Sequence, residues 1–350
     1  MNYLAKMRIN VGVIGVGGIA YAHLMAYTEN PNIKEIYIAD ENEQALQYAQ
    51  DKYPKIKKAF KDYKEMVEEA PIQLVDICTP HYLHHPMAIH SLKAGKDVIC
   101  EKPIATNLKE ADEMIETARK TGHRLFISMN QRFMPYHKKA KELIDGGVIG
   151  RPFMVVFNIM GNEFIRMNDP KHWKGSWDKA GGGAMIDTGY HAIYMMLHFF
   201  GKPKAVTAVA KRLVVEPENK GDDNTVAILE FDEKVLGTIA ISYTVLSEAW
   251  QEKRHIYGTE GSIHMKDDVR EPIILIKDDK PTVIDVGQME YHPHILSVKL
   301  ALDHFVDCLL SDKEPEVKPE EARDALEVCL AIYEASKKEK KVYLKEKVSE

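Results

Sequence analysis

Three side chains in the 350-residue sequence could move a proton or hold a developing charge. Asp187 and His191 stand four residues apart, which on a helix sets both on one face. An imidazole titrates near neutrality and serves as a base, and a carboxylate beside it orients the ring and stabilises its protonated form. Lys102 adds a positive charge after an apolar run and can hydrogen-bond a reacting oxygen. Gly15-Val16-Gly17-Gly18-Ile19-Ala20 is a G-x-G-x-x-A stretch. In such a stretch Gly15 permits a tight turn, Gly17 lets the backbone approach a pyrophosphate, and Ala20 allows close helix–strand packing. Gly18 and Ile19 then open the helix on which the phosphates rest. Such a set is compatible with hydride transfer from an alcohol, which needs a group to take the hydroxyl proton and one to stabilise the alkoxide.

The elements that must position these residues change character along the chain. Arg8–Gly15, Glu35–Asp40, Leu74–Thr79, Asp97–Glu101 and Arg124–Met129 are short, apolar and β-branched-rich, as strands buried on both faces of a parallel sheet are. Helical patterns lie between them, at Ile19–Tyr27, Glu43–Tyr53, Tyr63–Glu69, His84–Ala94 and Leu108–Thr121. Such alternation predicts a doubly wound Rossmann sheet over residues 1–130. After a helix at His137–Asp145, strands follow one another at Phe153–Met160, Ala205–Val215, Thr225–Phe231, Leu236–Tyr243, Lys253–Tyr257, Ser262–Met265 and Ile273–Ile276. Helices are expected at Ala184–Phe200, Ile295–Leu310 and Pro319–Lys337. Residues 131–350 therefore read as a substrate-binding and oligomerisation α+β domain with a large, mostly antiparallel open sheet. An apolar exposed face on that sheet would favour homodimers or homotetramers.

Asp40 ends the second strand, where a carboxylate meets the ribose hydroxyls. With Glu41 it places negative charge where the 2′-phosphate of NADP would lie, so NAD is the expected cofactor and NADP the less favoured one. Thr79-Pro80 with His84, and Glu101-Lys102-Pro103, follow strands at the ligand-binding edge of such a sheet. With Arg132-Phe133-x-Pro135 and Gly181-Gly182-Gly183-x-x-x-Asp187-x-x-x-His191 added, the chain resembles the glucose–fructose oxidoreductase/inositol dehydrogenase (Gfo/Idh/MocA) family. The resemblance covers nearly the whole length. It implies that Lys102 and His191 are the catalytic pair with Asp187 assisting, acting on a polyol, cyclitol or sugar. It also leaves open a redox-cycling NAD-dependent hydrolase or epimerase, or a non-catalytic dinucleotide-sensing regulator.

Other readings bound the partners. Gly181–Gly183 is expected to let the backbone pass close to cofactor or substrate. The segment Asn162–Trp177 should line the pocket entrance. Trp173 and Trp177 offer stacking faces, and Arg132, Asn162, Arg166, His172 and Lys174 offer donors. His81, His84, His85 and His90 match no metal-binding spacing, and no metal is expected; His84 is expected to start a helix beside the cofactor. The formal net charge of -6 argues against a nucleic-acid partner. Residues Met1–Asn10 lack a signal-peptide core, and Ala184–Phe200 is interrupted by Asp187, His191 and His198, so a membrane partner is not expected. Cys78, Cys100, Cys308 and Cys329 sit in apolar runs as reduced thiols would in a cytoplasmic protein. Lys337–Lys347 reads as a solvated end.

Overall fold

The computed structural model describes residues 8–216, 221–231, 234–246, 250–266 and 272–344. The readings made on the first residues and on Lys337–Lys347 fall partly outside them. The chain forms two compact units, one of residues 1–130 with 294–323, the other of 131–293 with 324–350.

The first unit is built on β1 (Ile9–Ile14), β2 (Ile33–Ala39), β3 (Ile56–Phe60), β4 (Leu74–Ile77), β5 (Asp97–Glu101) and β6 (Leu125–Ser128). They lie in the order β3-β2-β1-β4-β5-β6, every pair parallel. This is the doubly wound order, with the strand sequence reversing between β1 and β4. The connecting helices are α1 (Ala20–Glu29), α2 (Glu43–Lys52), α3 (Tyr63–Glu69), α4 (His84–Lys93) and α5 (Leu108–Thr121). Local chemistry sets several of their ends. Asn42, Asp62 and Asn107 accept first-turn amides of α2, α3 and α5, and left-handed Gly122 closes α5. Strand β3 was not legible in the sequence, because Lys57 and Lys58 interrupt its apolar pattern at the sheet edge.

The second unit carries α6 (Pro135–Asp145), α7 (Phe164–Asn168), α8 (Trp177–Ala180) and α9 (Tyr190–Phe200). Its strands are β7 (Pro152–Met160), β8 (Ala205–Lys211), β9 (Asn224–Glu230), β10 (Leu236–Ser242), β11 (Gln251–Gly258), β12 (Gly261–Lys266), β13 (Ile273–Lys277), β14 (Lys280–Val283) and β15 (Val342–Tyr343). They form one sheet, ordered β14-β13-β12-β11-β7-β10-β9-β8-β15, with β7 and β10 parallel and the rest antiparallel. Strand β8 stops short of the expected Val215, because the Asp223 carboxylate accepts the amides of Leu213, Val214 and Val215 and turns them out of the ladder. Two long helices follow, α10 (Pro293–Ser311) and α11 (Pro319–Lys338). Among the described residues no helix is long and apolar enough to cross a membrane.

Candidate active site

In the first unit the glycine-rich turn takes the form its composition predicts. Gly15 has φ +84°, and a Cβ there would lie 2.8 Å from the Cys78 carbonyl oxygen, so only glycine fits. Nothing lies within 4 Å of a Cβ built on Gly17 or Gly18, and Ile19 caps α1 with no side-chain hydrogen bond. Open space in front of an uncapped helix N-terminus is a cradle for a pyrophosphate. Asp40 stands at the end of β2, where Oδ2 accepts the Val16 amide at 2.8 Å and Oδ1 the Asn42 amide at 2.8 Å. A carboxylate has further lone pairs, so Asp40 can still meet ribose hydroxyls. These features fit a dinucleotide.

The next two strand ends are joined by one histidine. Buried His84 starts α4, and its ring nitrogens face the carbonyl oxygens of Pro103 at 2.8 Å and Thr79 at 2.9 Å. Burial pushes the His84 imidazole down, which the two carbonyls only partly offset. The loop after β4, with Thr79 and Pro80, is thereby tied to the loop carrying Lys102 and the cis Lys102–Pro103 bond. Sequence reasoning missed what supports Glu101. Fully buried His23 on α1 lies 2.6 Å from Asp76 Oδ2 and 3.1 Å from Glu101 Oε1, and the Tyr27 hydroxyl donates to Asp76 at 2.8 Å. Burial alone would push the His23 imidazole down, but Asp76 overcomes this and holds it well above its ordinary value. Burial likewise opposes ionisation of Glu101, yet His23 outweighs it and holds the carboxyl down at about 2. Glu101 Oε2 accepts the Lys102 amide at 3.2 Å, so the buried cluster braces the residue that carries Lys102. His23, Asp76 and Cys78 bring ligand-type atoms within 4.8 Å of one another. The direct His23–Asp76 contact and a Cys78 thiol pushed by burial to about 12 suit a hydrogen-bonded cluster better than a metal site.

In the second unit Asp187 lies in a wide π-type turn, Met185–Gly189, leading into α9. Two buried groups anchor this turn. Asp222 accepts the Met185 amide at 3.1 Å, and the Tyr333 hydroxyl meets the amides of Gly183 and Ile186. The glycine run serves the same anchoring. A Cβ on Gly183 would lie 2.0 Å from the Asp222 carbonyl oxygen, and one on Gly182 would lie 2.3 Å from the Tyr333 hydroxyl. Gly182 and Gly183 thus lie close to a tyrosine and to the chain's own backbone.

Asp187 Oδ2 accepts from the Tyr243 hydroxyl at 2.6 Å and pairs with Lys174 Nζ at 2.9 Å. His191 Nδ1 faces the Tyr194 hydroxyl at 2.8 Å. That hydroxyl accepts the Gln131 amide at 3.2 Å, and the Gln131 carbonyl oxygen on the side chain accepts from fully buried Arg254 at 2.7 Å. Tyr194 was legible in principle, three residues beyond His191 on one helix. Tyr243 gave no local signal, because β10 delivers it from more than fifty residues away.

The segment after β7 supplies the remaining candidates. The Asn162 side chain accepts the Phe164 amide at 3.0 Å. Arg166 pairs with Glu163 at 3.0 Å. His172 accepts the Lys174 amide at 3.2 Å and stacks on Trp173 at a centroid distance of 5.9 Å. Trp177 packs against Tyr333, with centroids 4.7 Å apart. Arg132 lies in the Asn130–Phe133 turn, where its charge helps to push His198 down.

Comparison with known proteins agrees with this architecture. Residues 9–129 match the Gfo/Idh/MocA model described as an oxidoreductase family, NAD-binding Rossmann fold, and residues 141–344 match its C-terminal alpha/beta domain. Myo-inositol 2-dehydrogenase of Thermotoga maritima is 28% identical over 345 residues, covering 97% of this chain and 99% of that protein. Levoglucosan dehydrogenase of Pseudarthrobacter phenanthrenivorans is 27% identical, over 73% of each chain. Among solved structures, levoglucosan dehydrogenase in complex with NADH and levoglucosan has a TM-score of 0.87 at 22% identity, covering 97% of this chain and 100% of that one, a likeness of fold. The protein is therefore a member of the Gfo/Idh/MocA oxidoreductase family, and its first unit contains the family's NAD-binding Rossmann domain.

Proposed function

We propose that the protein is an NAD-dependent dehydrogenase transferring hydride between the nicotinamide and a secondary alcohol of a sugar, cyclitol or related polyol. NAD, when bound, supplies the hydride acceptor. In the oxidative direction His191 takes the hydroxyl proton at Nε2, its Nδ1 being engaged by Tyr194. Lys102 hydrogen-bonds the reacting oxygen and stabilises the charge that develops there. Asp187 holds a fixed carboxylate, set by Lys174 and Tyr243, that accepts from substrate hydroxyls and favours the protonated imidazole. Arg132, Asn162, Arg166, His172 and Trp173 complete the substrate contacts. The acidic Asp40-Glu41 pair favours NAD over NADP.

The observation that carries this reading is the pairing, in one family member, of an open glycine turn braced by Asp40 with an imidazole whose Nδ1 meets a tyrosine hydroxyl. The activities named for the inositol and levoglucosan relatives support the substrate class. NADH absorbance during a screen of inositols, aldoses and anhydrosugars with NAD tests it. One compound should give NADH with the wild type and none with His191→Ala. A silent panel with NAD bound would contradict it and favour a redox-cycling enzyme or a regulator.

The reading includes a homodimer or homotetramer and a cytoplasmic location. Four free, buried thiols support the latter. For the former, one face of the nine-stranded sheet exposes Val209 (55%), Val226 (59%) and Ile228 (42%) as neighbours across β8 and β9, an apolar cluster that a second copy could cover. Sedimentation should give a multiple of 39.8 kDa, and Val226→Lys should shift it toward the monomer; a wild-type monomer would contradict this.

A further inference from the structure

Lys174, Arg166, Glu163 and Asp187 form a cluster of four charged side chains. Lys174 Nζ lies 2.9 Å from Asp187 Oδ2 and 3.7 Å from Glu163 Oε1. Arg166 Nη1 lies 3.0 Å from both oxygens of Glu163. Two cations face two carboxylates, so the cluster carries no net formal charge. Its inner part is shielded from water: the side chains of Glu163 and Asp187 are each 10% exposed and that of Lys174 17%, against 59% for Arg166. In such surroundings an added or missing charge is felt far more strongly than at an open surface. The neighbouring imidazole follows the same logic. Burial, then Lys174 and Arg166, push His172 down, so it adds no third cation at neutral pH. Glu163 is fixed by the backbone as well, its amide donating to the Tyr243 carbonyl at 2.7 Å.

We propose that Glu163 is a specificity-determining residue, which cancels the positive charge of Lys174 and Arg166 and so selects uncharged polyols and sugars over their carboxylate or phosphate counterparts. The inference rests on the dehydrogenase reading above and names its substrate class by charge. An anionic substrate entering a partly buried site needs an uncompensated cation to replace its lost hydration. Here the ammonium of Lys174 already meets a carboxylate on each of two sides, and an incoming anion would face both. Burial opposes the charge on Lys174, yet Asp187 and Glu163 outweigh it and hold the ammonium firmly ionised, so the site cannot adapt by shedding a proton. A hydroxyl group has no such difficulty, since it donates to a carboxylate and accepts from an ammonium.

Calorimetric titration of the NAD-loaded protein with matched ring pairs tests this. The probes are D-glucose against D-glucuronate, and myo-inositol against inositol 1-phosphate. The wild type should bind the uncharged member at least about tenfold more tightly, and Glu163→Gln should narrow that ratio by about tenfold or more. Glu163→Asp, which keeps the charge, should restore most of the ratio. Equal or tighter wild-type binding of the acids would overturn the proposal, as would an unchanged ratio in Glu163→Gln. Parallel NADH measurements separate the two claims. Charge-selective binding without NADH would retire the dehydrogenase reading and keep this one, while NADH formed with a ratio indifferent to Glu163 would do the reverse.

Discussion

His23 in the first unit and His137 in the second are both fully buried, yet the two units hold them in opposite charge states. His23 lies between two carboxylates and is held well above its ordinary pKa. His137 is pushed well below by burial and by the guanidinium of Arg254. The same direction holds for His172, His198, His255 and His264 in the second unit. Burial opposes a charged imidazole in every case, so the neighbours decide. The first unit places a fixed ion pair beneath the loop that carries Lys102. The second sets its candidate base, His191, against the Tyr194 hydroxyl and holds five other imidazoles down. One unit thus fixes a charged imidazole in its core, and the other keeps its buried imidazole neutral.

The largest effect expected from this contrast is on turnover. Lys102→Met should cut kcat by about 10²–10³ while NAD binding stays within a few-fold, as loss of an electrostatic stabiliser does. Unchanged turnover would remove Lys102 from the chemistry. Next comes the buried cluster: His23→Leu removes the buried cation between Asp76 and Glu101, and should lower unfolding free energy by about 3–5 kcal/mol. Urea denaturation reads this directly, and a loss under about 1 kcal/mol would mean that His23 is not a charged partner. Tyr194→Phe removes one hydrogen bond to His191 and should cost about tenfold in kcat with NAD affinity intact; an unaltered kcat would show that Nδ1 needs no partner. Asp40→Ala should weaken NAD by about tenfold and relax discrimination against NADP, and an unaltered preference would end the ribose-contact reading.

The dependence on pH completes the comparison, and its sign differs between the units. His198 is held down to about 3 by burial and by Arg132 and Lys141. Its contribution to stability is therefore present above about pH 6.5 and is lost as pH falls toward 3. His23 is raised, so its contribution is complete below about pH 6.5 and is lost only as pH rises through its folded value. Amide exchange followed from pH 7 to pH 4 should show α9 losing protection before α1. Loss in the opposite order would break the comparison.

Much of this was legible from sequence because the signals were local. G-x-G-x-x-A, Asp40 and the buried runs of β1, β4 and β5 are each written within a few residues, and the parallel sheet follows from them. The Asp187/His191 spacing is equally local, although the structure sets Asp187 in a π-type turn and His191 at the start of α9. The spacing could not show which groups hold them. Asp187 is set by Tyr243, delivered by a strand, and by Lys174, which read only as a donor to substrate. His23 looked like an ordinary helix residue, since its carboxylates come from β4 and β5. Gly182 and Gly183 show a related limit: a close approach is written in the sequence, but not that Tyr333 and Asp222 are among what approaches. Long-range pairing of polar groups has no periodicity to read.

The most direct test of the central claim is a single turnover with a polyol deuterated at its carbinol carbons, using NAD and excess protein. The account predicts that deuterium appears in the reduced nicotinamide, with a slower rate than for the protiated substrate and no transfer by Lys102→Met. Bound NAD and bound polyol with no label in the nicotinamide would contradict it.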